Sequence, residues 1–124
     1  MELKKKVELI VNCYDDKKAH DIVAMEVGEL TSVADYFVIG SAPSSTQVKA
    51  IADEIEEKME KAGFRAVHRE GYNSAMWILL DYSDIVCHIF NDETRKFYDI
   101  ERLWSDAKKL DIEKLIQRED KNLD

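Results

Sequence analysis

The stretch MWILLDYSDIVCHIF, residues 76–90, sets Asp81, Asp84 and His88 inside an otherwise apolar run. An ionised carboxylate is costly to bury unless it is paired, so each of these groups needs a role. Two carboxylates on one strand face could hold magnesium for nucleotidyl transfer, but that needs a D-x-D spacing. Asp81 and Asp84 are three apart across an expected turn, and no D-x-D occurs. Gly40-Ser41, in VIGSAPSS, lies between an expected strand and an expected helix start. Free N–H groups and the helix dipole at such a place favour a phosphate. The plainer reading is a strand-to-helix turn. The pattern is compatible with the fold of such transferases and does not support their activity. Cys87 and His88 do not form a nucleophilic pair, because adjacent strand residues face opposite ways. His20, His68, Cys13 and Cys87 are scattered, without zinc-ligand spacing, so no metal and no cofactor is expected. Both cysteines are expected to be reduced and buried. Asp81 and Asp84 flank Tyr82-Ser83, where an aspartate can accept nearby backbone N–H groups, and turn-fixing suits Asp84.

The elements that must position these groups follow from periodicity. Leu3, Val7, Ile10, Val11 and Tyr14 recur at helical spacing. DIVAMEV (21–27) and DYFVIGS (35–41) read as strands joined as a hairpin. Ser44 with Gln47 fits a capping box, Val48, Ile51, Ala52, Ile55, Met59 and Ala62 continue the helix, and Gly63 stops it. Further strands are expected at 64–70, 76–82 and 85–90. A last helical region starts near Asn91-Asp92, with Ile100, Leu103, Trp104 and Ala107 on one side. The order α-β-β-α-β-β-β-α implies an α/β (α+β) domain over 1–110, a mixed sheet of about five strands flanked by helices. Residues 111–124 read as a charged C-terminal extension.

Alternation aims Trp77, Leu79 and Asp81 one way and Ile78, Leu80 and Tyr82 the other. The second set is apolar enough to face the core. That leaves Trp77 to meet a partner, although residue type alone favours a core tryptophan.

The chain has 124 residues and a net charge of −8. That length suits one domain with a modest core. Such a charge disfavours phosphate backbones and favours a basic protein partner. No apolar run is long enough to span a membrane, and the N-terminus has neither signal nor transit character, so a cytoplasmic location is expected.

Three blocks, DYFVIGSAPSSTQVKAIADEI, EGYNSAMWILLDYSDIVCHIF and RKFYDIERLW, resemble the signature blocks of the Iojap family, whose bacterial members are called ribosomal silencing factors (RsfS). The resemblance runs from about residue 5 to 107. It implies a nucleotidyltransferase-like fold without the transferase motif, and a non-enzymatic role. Family members bind the large ribosomal subunit through ribosomal protein L-fourteen and block joining with the small subunit, repressing translation when nutrients are scarce. By resemblance, functional interest falls on Glu70, Trp77, Asp81, Asp84, His88, Arg95, Tyr98, Glu101 and Trp104. The family usually has glycine where Ser83 stands. Direct nucleic-acid binding is not expected, and homodimerisation is left open. The alternative reading is a nucleotide-dependent enzyme using Gly40-Ser41 with Asp81 and Asp84.

Overall fold

The computed structural model describes residues 1–116. Its centre is a parallel pair of strands, β2 (Tyr36–Ala42) and β5 (Ile85–Asn91), in register from Tyr36 opposite Ile85 to Ala42 opposite Asn91. All of β2 and nearly all of β5 is buried, as expected of strands covered on both faces. Parallel partners need a long crossover. Here it holds helix α2 (Ser45–Lys61) and strands β3 (His68–Glu70) and β4 (Trp77–Asp81). With β1 (His20–Glu26) the hairpin with β2 forms as expected, and the sheet order is β3-β4-β5-β2-β1-β6.

Helix α1 (Leu3–Asp16) buries Val7, Ile10, Val11, Cys13 and Tyr14. Helix α2 buries Val48, Ile51, Ala52, Ile55 and Met59. Together they seal one sheet face, where Val38, Ile78, Leu80, Cys87 and Ile89 are fully buried. The capping box is half formed. Ser44 Oγ accepts from Gln47 N at 3.2 Å, but the Gln47 amide donates to the Lys17 and Lys18 carbonyls. Those carbonyls end α1 and compete for the donor.

Gly40-Ser41 is not a turn. Strand β2 runs through it to Ala42. A Cβ at Gly40 would lie 2.5 Å from Tyr14 Cδ2, so glycine there admits the tyrosine ring. The Tyr14 hydroxyl then lies 3.1 Å from the Val38 and His88 carbonyls and ties α1 to both central strands.

The expected strand 64–70 shrinks to three exposed residues, His68–Glu70. Phe64 and Ala66 pack against the α1–α2 core instead, where burying them outweighs extending an edge. The last helical region is broken. Helix α3 (Asp92–Tyr98) ends at Asp99, whose φ of 44° is left-handed, and α4 (Ile100–Leu103) follows. A sixth strand, β6 (Lys108–Lys109), pairs with Met25 and Glu26. Helix α5 (Ile112–Leu115) follows it. Ile116 is buried in the α1-side cluster, and Asn12 Nδ2 donates to the Leu115 carbonyl at 2.9 Å. Residues 111–116 of the charged stretch thus pack on the domain, and 117–124 lie outside the described residues.

Candidate functional site

Among the described residues, no long helix covers the sheet's second face. Met25, Phe37, Ile39, Val86 and Phe90 line it, with Val27, Ala34, Ile100 and Ala107 buried in the same cluster and Trp104 packed beside them. Strand β4 supplies the edge of this face, and its burial alternates, with Ile78 and Leu80 buried and Trp77, Leu79 and Asp81 half-buried.

Trp77 owes its place to the turn before it. Gly71 has a φ of 81°, and a Cβ on it would overlap the Trp77 carbonyl. Cross-strand pairing then sets Trp77 opposite Phe90 and Leu79 opposite His88. The Trp77 ring stacks on Phe90 at 4.8 Å and meets Tyr98 at 5.1 Å. Its Nε1 donates to His88 Nδ1 at 3.1 Å. Indole only donates, so that His88 nitrogen is unprotonated and the neutral ring carries its proton on Nε2. Nε2 is buried without a hydrogen-bond partner among the described residues. Burial lowers the His88 pKa to about 4, which keeps the ring neutral near pH 7. His88 meets Phe37 edge-on at 5.0 Å, and Phe37 meets Trp104 at 5.1 Å. A continuous aromatic row therefore runs Tyr98–Trp77–His88–Phe37–Trp104.

Beside this row, Met76 (55%), Phe97 (80%), Tyr98 (52%) and Leu103 (77%) are exposed. Between β4 and α3 lies an open cleft of about 520 Å³, lined by Met76, Trp77, Phe97 and Tyr98 with Ser74, Glu93 and Thr94 at its rim. Apolar exposure gathered like this, with polar groups around it, marks an interaction surface. Its chemistry suits recognition. His88 offers no free lone pair, and burial pushes the Cys13 thiol up to about 12 and the Cys87 thiol further up.

The structure sorts the residues singled out from sequence into separate groups. Trp77, His88, Tyr98 and Trp104 share the aromatic row. Arg95 and Glu101 pair with each other at 2.9 Å below the ledge formed by α3 and α4. Asp81 Oδ1 accepts from Ser83 N at 2.7 Å, and Ser83 takes a φ of 75°, where glycine would be unstrained. Asp84 is directed elsewhere. Its Oδ2 meets Lys6 Nζ of α1 at 2.7 Å, and its carbonyl accepts from Asp35 N and Tyr36 N. Asp84 thus fastens the β4–β5 turn to α1 and to the start of β2. Glu70 is exposed on the far edge strand, 3.9 Å from His68. Sequence reasoning passed over Met76, Phe97 and Leu103. Helical spacing puts Leu103 on the side that carries Ile100, but in the four-residue α4 Ile100 alone is buried and Leu103 is exposed.

The family profile described as "Ribosomal silencing factor during starvation" matches residues 1–124. The Halalkalibacterium halodurans protein named ribosomal silencing factor RsfS is 38% identical over 110 residues, covering 89% of this chain and 94% of that one. The mouse protein named "Mitochondrial assembly of ribosomal large subunit protein 1" is 29% identical, covering 80% of this chain and 45% of that one. A crystal structure of a Chromobacterium violaceum protein superposes with a TM-score of 0.83 at 34% identity, covering 85% of this chain and 88% of that one.

Proposed function

Since the chain belongs to the RsfS family of ribosomal silencing factors, we propose that it represses translation by docking on the large ribosomal subunit and sterically blocking the small one. Its contact is ribosomal protein L-fourteen, engaged by the aromatic face, in the cytoplasm and without catalysis. The observation that carries this reading is the asymmetry of the sheet. One face is sealed by α1 and α2, while the other leaves Met76, Phe97 and Tyr98 exposed around Trp77. A net charge of −8 supports a basic protein partner over RNA. The mouse relative's name, which concerns assembly of a large ribosomal subunit, supports the choice of subunit.

The test is binding of the purified protein to isolated large subunits, followed by addition of small subunits and sedimentation. Bound protein should reduce the joined fraction, and capture of L-fourteen should survive ribonuclease. Trp77→Ala should weaken binding roughly 30-fold, equivalent to about 2 kcal/mol. Joining that proceeds undisturbed with the protein bound would reject the steric mechanism. Capture lost on ribonuclease treatment would reject protein recognition.

A further inference from the structure

Helix α3 carries two of the ledge's exposed aromatics, Phe97 and Tyr98, yet contributes no buried residue to the core. Apolar packing therefore does little to hold it. Arg95 takes over that task. Its Nε donates to Glu101 Oε1 at 2.9 Å, Nη1 to the His20 carbonyl at 2.9 Å and to Ser41 Oγ at 3.1 Å, and Nη2 to the Asp21 carbonyl at 2.6 Å. One guanidinium thus joins α3 to α4, β1 and β2. Its side chain is 11% exposed, and the bonds to Glu101 and Ser41 are partly buried while those to the His20 and Asp21 carbonyls lie at the surface.

Both sides of this clamp are built around it. In β1 the pairing register shifts between His20 and Val23, and Asp21 adopts a φ of 48°. The irregularity coincides with the two carbonyls that Arg95 takes. On the other side Asp99, also left-handed, turns the chain so that Glu101 meets the same guanidinium. Left-handed non-glycine residues cost free energy and persist where neighbours hold them.

We propose that Arg95 is a positioning residue for docking. It contacts no partner; through the Asp21 and Asp99 bends it fixes the α3–α4 ledge on which Phe97, Tyr98 and Leu103 are presented. The link to docking rests on the function proposed above, whereas the link to ledge order does not. Lysine keeps the charge but not the planar fork, so Arg95→Lys isolates geometry from electrostatics.

The experiment measures three quantities on full-length Arg95→Lys beside the parent. They are amide hydrogen exchange by segment, the denaturant midpoint, and affinity for purified large subunits. Expected are faster exchange confined to residues 92–104, an almost unchanged midpoint, and affinity at least roughly tenfold weaker. Glu101→Gln should give the same pattern in weaker form, because the three contacts to β1 and β2 remain. Unchanged exchange in 92–104 overturns the proposal. So does exchange that rises throughout the sheet, which would make Arg95 a general stability residue. Local loosening with undiminished affinity would reject the docking role. If the parent itself does not bind large subunits, the proposed function fails, and the exchange data still decide whether Arg95 orders the ledge.

Discussion

The two faces of the central sheet are made of similar residues and are finished differently. Under α1 and α2, side chains such as Val38, Ile78, Leu80 and Ile89 are wholly excluded from water by helices of 14 and 17 residues. Across the sheet, α3 and α4 have 7 and 4 residues, and between them they bury only Ile100. The first face holds the fold together, and the second is left incomplete in a way another molecule could complete. Stability and recognition are therefore expected to separate by face, and substitutions on one should leave the other's readout largely untouched.

The largest effect is expected on the sealed face. Leu80→Ala removes a fully buried side chain and should cost about 2–5 kcal/mol in denaturant unfolding. The affinity of the folded fraction for large subunits should stay as in the parent. A large loss of that affinity would show that the faces are coupled.

His88 sharpens the comparison from the other side, because it lies in the open face yet is buried. Its folded pKa is about 4 against an unfolded value of 6.5. As pH falls below 6.5, the unfolded chain binds the proton first, so stability declines from there down to about pH 4. The full difference is roughly 3 kcal/mol. Protonation also ends the acceptance from Trp77 Nε1. In His88→Phe this pH-dependent component should vanish from the unfolding midpoint. A variant that keeps the parent's slope between pH 6.5 and 4 would remove His88 as its source.

The smallest stability change is expected at Phe97, which is 80% exposed. Phe97→Ala should shift unfolding by no more than about 0.5 kcal/mol. Its affinity for large subunits should fall roughly tenfold, near 1.4 kcal/mol. Binding equal to the parent's would move the contact away from the ledge.

Trp77 shows that the division has a boundary. Alternation pointed it away from the α-covered core, and β4 does alternate in that sense. The ring is half-buried, however, and is engaged with Phe90, Tyr98 and His88. Trp77→Ala should therefore lower stability as well as affinity, and both must be read on the same variant.

Much of the fold was legible because its signals are local. The faces of α1 and α2 follow from helical spacing, β4 from alternation, and β2 and β5 from continuous apolar runs. The start of α2 follows from Ser44 and its stop from Gly63, which has the expected positive φ of 96°. The family likeness was legible too, since it depends on residue order alone. Other features depend on what lies opposite. Nothing in Lys108–Lys109 signals a strand; it exists because β1 has a free edge to pair with. Gly40 resembled a turn glycine until Tyr14 from another element filled the space above it. Asp84 and His88 are four residues apart, yet one binds Lys6 on α1 and the other Trp77 on β4. Arg95 reaches His20, Asp21 and Ser41 across more than 50 residues of chain. The sequence by itself determined helices α1 and α2, the central strands and the family, because periodicity and order act over a few residues. Only the tertiary structure decided which polar groups became fasteners and which aromatics stayed open, because hydrogen-bond partners and solvent exclusion are set by distant segments meeting in space.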